Sequence, residues 1–314
     1  MSVTTDTLPV VCLMGPTAAG KTDLALDLHA RGGVDLISVD SAMVYRGMDI
    51  GTAKPSPVVQ AQAPHALIDI RDPAEAYSAA EFVSDAHAHI EAARRAGRVP
   101  VLVGGTMLYF RSLLRGLSRL PPADAGVRAR LEAQAEARGW PALHARLAGV
   151  DPVTADRLHR NDAQRIQRAL EVYELTGQSL SCLQSAAAPE PLPGPVVKVG
   201  VMPASRSVLH ARIEQRFRAM LAEGVIDEVA GLWARPDIHA DLPAMRAVGY
   251  RQIVEYLDGR IGRDDLAFRG TVATRQFARR QVTWLRREDG LEWLDPLAHK
   301  PCDTLSDLIN RVVA

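Results

Sequence analysis

Residues 10–22 read VVCLMGPTAAGKT, and their types and spacing point to one chemistry. Gly15 is followed by Pro16, Thr17, Ala18 and Ala19, then by Gly20, Lys21 and Thr22, which is the G-x-x-x-x-G-K-[ST] pattern of a phosphate-binding loop. Glycines let such a loop curl until successive backbone N–H groups face an anion. The lysine reaches the terminal phosphates and the threonine hydroxyl can hold Mg²⁺, while the helix that follows adds its positive dipole end. A second chemistry centres on Asp40, at the close of the apolar run 34–39. A carboxylate facing a phosphate loop can be a Mg²⁺ ligand, a general base, or a cap for the next element, and its position leaves all three open.

Other stretches hold groups that could face a ligand. Residues 47–55 (GMDIGTAKP) form a glycine-punctuated loop carrying a hydroxyl and an amine. Gln164, Arg165, Ile166, Gln167 and Arg168 follow a helix start at Asn161-Asp162, with Ile166, Leu170 and Tyr173 on an apolar side and Gln164 and Arg168 one turn apart on a polar one. Arg246, Ala247, Val248, Gly249, Tyr250 and Arg251 place two arginines and a tyrosine around a glycine. A last basic helix holds Arg279, Arg280, Gln281, Val282, Thr283, Trp284, Leu285, Arg286 and Arg287. Arginines with an interleaved aromatic suit a nucleic-acid backbone and an unstacked base, although Trp284 is equally suited to a core. His65 and His159 stand alone, without metal-ligand spacing.

These groups need elements to position them. Strands are expected at 10–14, 34–39, 99–103 and 196–202, alternating with helices. One helix, after residues 78–81, has capping-box spacing (Ser78 and Glu81) and ends at Gly97. Alternation of this kind predicts an α/β fold: a P-loop-type parallel sheet core with ligand at the carboxyl ends of its strands, where Asp40 and Thr106 also fall. From Pro121-Pro122 to about residue 177 the chain reads as helix after helix. A helical insertion domain is therefore expected at 120–190, closing in a linker at 185–195, between core segments 1–119 and 191–314. The C-terminal region is expected to be helical at 207–223, 245–257 and 271–287.

Composition narrows the partners. At 314 residues, 47% hydrophobic and 24% charged, the chain suits a globular core with a second unit. Net charge is zero, so nucleic acid can be held only by local basic patches. Lysine is rare (Lys21, Lys54, Lys198, Lys300) and the remaining cations are arginines, which favour bidentate phosphate contacts and stacking. Cys12, Cys182 and Cys302 lie far apart, against a disulfide framework or zinc site and in keeping with a reducing cytoplasm. No signal peptide or membrane span is expected.

Seven collinear stretches resemble the bacterial tRNA dimethylallyltransferase (tRNA isopentenyltransferase) family. They are GPTAAGKT at 15–22, DSAMVYRGMDIGTAKP at 40–55, PHALID at 64–69, GGTMLYFRSLLRGL at 104–117, DPVTADRLHRNDAQRIQRALEVYELTG at 151–177, RAVGYRQ at 246–252 and RRQVTWLRR at 279–287. The resemblance implies transfer of a dimethylallyl group from dimethylallyl diphosphate to the exocyclic amine of the adenosine 3′ of the anticodon, in tRNAs reading codons that begin with U. Mg²⁺ and the loop at 15–22 would hold the departing diphosphate, with Thr17 near its bridging oxygen. Asp40 would accept the amine's proton or hydrogen-bond it as attack proceeds. The family's tRNA contacts carry over to Asp40, Ser41, Ala42 and Met43, to Thr106 and Arg128, to 164–168, to 246–251 and to 279–286. Arg212 and Arg216 match an arginine-rich helix that clamps the diphosphate. Met43 stands where many relatives have Gln, implying a hydrophobic contact to the base, and Met107 where many have Gly, implying a narrower channel. No C-terminal zinc finger is seen, as expected of a bacterial member. A monomer acting on the tRNA anticodon stem-loop is expected, with no membrane partner. A small-molecule P-loop kinase using ATP, and a non-catalytic RNA-binding protein, remain the competing readings at this point.

Overall fold

A computed structural model describes residues 8–118, 120–186 and 192–313. They fall into two compact units, Met1–Leu113 with Pro193–Ala314 and Leu114–Leu192.

In the first unit the run at 10–14 forms β1 (Val10–Met14), buried at every residue. The phosphate loop follows, and Gly20 (φ +94°) turns it into α1 (Lys21–Ala30). Next come β2 (Val34–Val39), α2 (Pro57–Gln62), β3 (His65–Ala66) and α3 (Ala79–Arg95). α3 opens on the expected capping box: Glu81 N–H donates to Ser78 Oγ at 3.1 Å and Ser78 N–H to Glu81 Oε2 at 2.9 Å. Then follow β4 (Val99–Gly104) and α4 (Met107–Arg115).

The second unit is wholly helical among its described residues: α5 (Ala125–Arg138), α6 (Trp140–Val150), α7 (Pro152–Arg157), α8 (Ala163–Thr176) and α9 (Leu180–Ala186). Asp124, Asp151 and Asp162 cap α5, α7 and α8 by accepting from the N–H of Val127, Thr154 and Arg165. The core is made by Val127, Leu131, Leu143, Leu147, Ile166 and Leu170, the last two on the expected face of α8. The linker expected at 185–195 is helical at Ser185 and Ala186, as part of α9, and its residues 187–191 lie outside the described residues.

The first unit resumes with β5 (Val196–Val201), α10 (Arg206–Ala222), α11 (Val225–Trp233), α12 (Tyr250–Leu257), α13 (Arg263–Leu285), β6 (Leu291–Leu294) and α14 (Pro301–Val313). The helix expected at 245–257 begins at Tyr250, because Gly249 before it has φ +95°, outside helical space. The helix expected at 271–287 begins eight residues earlier, at Arg263, and ends at Leu285. α11 and α14, β3 and β6 were not among the expected elements.

The six strands are all parallel, in the order β3-β2-β4-β1-β5-β6. β1 lies between β4 (Val11 opposite Val101) and β5 (Val10 opposite Val196). Consecutive β1 and β2 are thus separated by β4, which opens a crevice at the carboxyl edge where the phosphate loop sits. Leu24, Ala25 and Leu28 of α1 and Leu305 and Ile309 of α14 pack on one side of this sheet with Val11, Val101 and Val199. That packing fixes the start of α1, and so the loop, against the sheet rim.

Candidate active site

The phosphate loop has the curl its sequence calls for. Ala18 (φ +62°) and Gly20 (φ +94°) both take left-handed backbone conformations. The loop is tied to the sheet by Gly15 N–H donating to Gly104 O at 3.2 Å. Nothing among the described residues accepts from the N–H groups of Gly20, Lys21 or Thr22, which leaves a concave set of donors at the start of α1.

Three cations converge on these donors. Lys21 Nζ donates to Pro16 O at 2.8 Å. Burial pushes its ammonium down to about 8, against the pull of Asp40 and with the push of Arg216. Arg216 opens into the cavity, yet burial and then the neighbouring Arg212 hold its guanidinium below the usual value. Arg212 places its Nη2 3.4 Å from where a side chain at Gly20 would begin, and its buried Nη1 has no hydrogen-bond partner. A buried guanidinium nitrogen without an acceptor is costly. Beside an unfilled set of backbone donors, it fits an anion with several oxygens.

Asp40 leaves β2 toward the same place. Its Oδ1 accepts from Ala42 N–H at 2.9 Å and Met43 N–H at 3.3 Å, so it does cap the next turn. No donor among the described residues reaches Oδ2, and the residue lines the cavity. Burial raises its carboxyl, opposed by the two N–H bonds and by Lys21. One oxygen is held and the other is open, as an oriented base requires. Thr106 Oγ1 accepts from Ser41 N–H at 3.0 Å, joining this turn to the end of β4.

Phosphate loop, Asp40–Met43, Thr106, Arg246–Tyr250, Arg280 and Gln281 all line one cavity of about 600 Å³. An apolar arc of Ile213, Phe217, Met220, Val225, Ile253 and Phe277 completes the wall. Arg216 and the apolar arc, except for Phe277, come from α10 to α12; the resemblance marks Arg216 but none of the arc, because period alone does not say which face of a helix meets a cavity.

Several expected contacts turn out differently. Gln281, expected at an RNA surface, is buried: its Oε1 accepts from Thr17 N–H at 2.9 Å and its Nε2 donates to Gly105 O at 2.8 Å. It holds the phosphate loop to the loop after β4. Leu285 and Ile166 are buried in the packed interior, so their side chains present no surface to RNA. Tyr250 is buried with its hydroxyl donating to Glu228 at 2.5 Å. Glu228 also accepts from the N–H of Asp49, Ile50 and Gly51, so one carboxylate holds the 47–55 loop against α12. Lys54 is spent inside that loop on Tyr45 O, Asp49 and Asp69, and Thr52 Oγ1 donates to Met48 O; neither faces a ligand with a free polar group. Met107 is buried at the start of α4 and is absent from the cavity wall, so it does not narrow the channel, whereas Met43 does line it. Arg251 is exposed beside Glu255, and Arg279, Val282, Thr283 and Arg286 line a different crevice. Trp284 is 41% exposed with Arg111 over its ring at 5.6 Å, so it is no core residue.

In the second unit, Arg128 is bidentate to Glu171 at 2.8 and 3.2 Å, and Arg168 reaches the same carboxylate at 2.7 Å and Pro121 O at 2.7 Å. Glu171 is fully buried. Gln167 donates to Glu132 at 2.9 Å; Arg165 pairs with Asp162, and Gln164 is exposed.

Comparison with known proteins bears on what such a site does. The family model described as IPP transferase matches residues 43–288. A tRNA dimethylallyltransferase of Alkalilimnicola ehrlichii is 63% identical over 309 residues, which is 98% of this chain and 96% of that protein. The crystal structure of the full-length tRNA isopentenylpyrophosphate transferase of Bacillus halodurans is similar at TM-score 0.70 and 34% identity, over 97% of this chain and 98% of that one. A eukaryotic dimethylallyltransferase acting on tRNA shares the fold at TM-score 0.81 with 23% identity, over 96% of this chain and 78% of that one.

Proposed function

The chain belongs to the IPP transferase family and is a transferase that modifies tRNA, and we propose that it moves the dimethylallyl group of dimethylallyl diphosphate onto the exocyclic amine of the adenosine 3′ of the anticodon in tRNAs reading U-initial codons. The observation that carries this reading is the meeting, in one cavity, of a half-free carboxylate with Lys21 and Arg216, which form no ion pair among the described residues, and with Arg212 beside Gly20 at its edge.

The diphosphate would lie on the N–H groups of Gly20, Lys21 and Thr22, with Lys21, Arg212 and Arg216 around it. As the carbon–oxygen bond breaks, negative charge grows on the leaving diphosphate, and fixed donors in a water-poor site stabilise it there. The allylic carbon tolerates the positive charge of a loose displacement, and the apolar arc from Ile213 to Phe277 suits the five-carbon chain. The adenine amine is a weak nucleophile, since its lone pair is delocalised into the ring. Asp40, with Oδ1 fixed by Ala42 and Met43, takes the amine's proton at its other oxygen. The target base must leave the stack to reach this depth, at a cost of a few kcal/mol that is smaller in a loop.

Mg²⁺ fits this donor set. Mg²⁺ takes oxygen ligands and is commonly held by a protein hydroxyl or carboxylate together with substrate phosphates, and the Thr22 hydroxyl at the start of α1 is such an oxygen beside the loop. Thr22 would hold it, and when bound it would add positive charge opposite the leaving diphosphate. Arg246, Ala247, Val248 and Gly249, with Met43, would surround the base, while exposed Arg279, Arg280, Thr283, Trp284 and Arg286 would meet the anticodon stem-loop. Gln164, Arg165 and Gln167 would do so from the second unit. No helix among the described residues is long and apolar enough to cross a membrane. The three free cysteines suit a reducing cytoplasm, where the chain would act as a monomer.

The experiment supplies protein, Mg²⁺ and labelled dimethylallyl diphosphate with two unmodified anticodon stem-loops, one carrying the target adenosine and one carrying guanosine there. Label is expected only on the first, at the exocyclic nitrogen. Label on neither, with ATP consumed in the presence of small acceptors, would return the site to the kinases.

A further inference from the structure

Helix α13 has two opposite working faces. Thr274, Phe277, Arg280 and Gln281 line the cavity described above. Arg275, Arg279, Thr283 and Arg286 line a second crevice of about 400 Å³, whose other wall is the start of α10, with Arg206 and His210. At about 100° per residue the two sets fall on opposite sides of one helix. What separates cavity from crevice is thin: Ala18 of the phosphate loop, Leu209, Ile213 and Ala278 pack together between them.

The crevice is lined by four arginines and a histidine, with no Asp or Glu in its wall. Arg206, Arg279 and Arg286 make no ion pair among the described residues. Arg275 spends Nη2 on Glu214 at 2.9 Å, while its buried Nε has no partner. Arg206 Nε donates to His210 Nε2 at 3.4 Å, so the imidazole accepts there as a neutral ring and orients the guanidinium at the crevice. Burial, then Arg275 and Arg206, lower the histidine's affinity for a proton. Three arginines without an ion pair among the described residues, beside a fourth that only Glu214 offsets, repel one another, and an anion relieves that repulsion. Guanidinium forks match phosphate oxygens.

We propose that this crevice is a second anion site, on the far side of α13 from the reaction, and that it seats a backbone phosphate of the tRNA substrate. The proposal rests on tRNA being the substrate. It adds Arg206, His210 and Arg275, which no motif marks, to the RNA footprint, and it gives α13 a phosphate on each side: the donor's at one face and the RNA's at the other.

The test measures binding of a fluorescent anticodon stem-loop to the full chain across a salt series. For R206Q/H210Q, affinity should fall about tenfold at low salt, converge with the parent at high salt, and lose about 0.7–0.9 from the slope of log K against log salt, one phosphate contact. R206K with His210 intact should keep the slope. R95Q, which removes an exposed arginine beside Glu91 on α3, should also keep it. An unchanged slope in R206Q/H210Q overturns the proposal, as does an equal loss in R95Q. So does a His210 NMR signal that moves with inorganic phosphate to the same degree whether or not RNA is bound, since that is a site for a free anion. A parent that binds and modifies RNA while the double variant behaves like it sinks the crevice alone. A parent that neither binds nor modifies RNA sinks the substrate reading with it.

Discussion

In the second unit Arg128 and Arg168 converge on Glu171, a buried carboxylate that also accepts from Asp124 N–H. At the rim of the sheet Lys21, Arg212 and Arg216 converge with no ion pair to any described residue. Both clusters come from an arginine-rich chain, and the linear sequence does not tell them apart. In the first, attraction offsets the cost of burying Glu171, and the arginines brace α5 to α8. In the second, repulsion and desolvation stay unrelieved until something negative arrives, so these cations weaken the empty fold and strengthen the occupied one. An arginine's function is read from what stands opposite it.

The largest effect that could break this contrast is expected at Asp40, whose carboxylate stands beside Lys21 with one oxygen open. Asp40→Ala should lower single-turnover transfer by roughly 10²–10⁴. Because burial raises its carboxyl, the acid limb of the parent's rate profile should lie above the ordinary aspartate range and vanish in the variant. Full activity in D40A would reduce Asp40 to a cap.

A smaller effect comes from Lys21, lowered from 10.5 to about 8 in the empty cavity. The donor needs the ammonium, so by pH 9 its affinity should have dropped roughly tenfold, from protonation alone, and isothermal titration of Lys21→Met should show no such drop. The folded chain binds fewer protons than the unfolded one between about pH 8 and 10.5, so Lys21 costs stability below about 8 and that cost is relieved as pH rises through this window. Denaturation across pH 7–10 should then find the parent gaining on K21M. A flat difference would mean that Lys21 titrates normally.

The comparison sharpens with a reciprocal pair. Arg212→Gln should leave the urea midpoint unchanged or higher and weaken the donor about tenfold, the worth of a charged hydrogen bond. Arg128→Gln should leave donor affinity alone and cost about 1–2 kcal/mol, a discounted figure because Arg128 is 43% exposed and Arg168 stays on Glu171. If both variants lose stability alike, the division fails. Least of all should follow from breaking the exposed Arg95–Glu91 pair, within about 0.5 kcal/mol by the same denaturation.

Much of the first unit was legible because its signals are local. β1 and the phosphate loop are contiguous, and the Ser78–Glu81 capping box lies within one turn. β3, two residues long, and β6, whose Trp293 is 49% exposed, carry no apolar run and exist only because a neighbouring strand offers an edge. The basic helix was visible, but its division was not. Gln281 and Arg280 are adjacent in sequence, yet the first is a buried brace and the second an exposed cation. That distinction arises from which side of α13 meets the loop after β4, information held at Gly105. The second crevice was hidden for the same reason, since Arg206 and Arg275 meet only through the crossing of two helices.

The place of β1 in the sheet has a further consequence, for how the protein is made. β1 emerges first from the ribosome, but its partners are distant in the chain: Val11 waits for Val101, and Val10 for Val196. Contacts of such sequence separation form slowly and late. The loop at 15–22 therefore gains its walls only after the helical insertion has been made and β5 has followed it. A nascent chain stopped before residue 196 can fold the insertion's helices on local contacts, but it holds an unsupported loop. The phosphate loop is thus made well before the strands that support it and is completed only when they arrive.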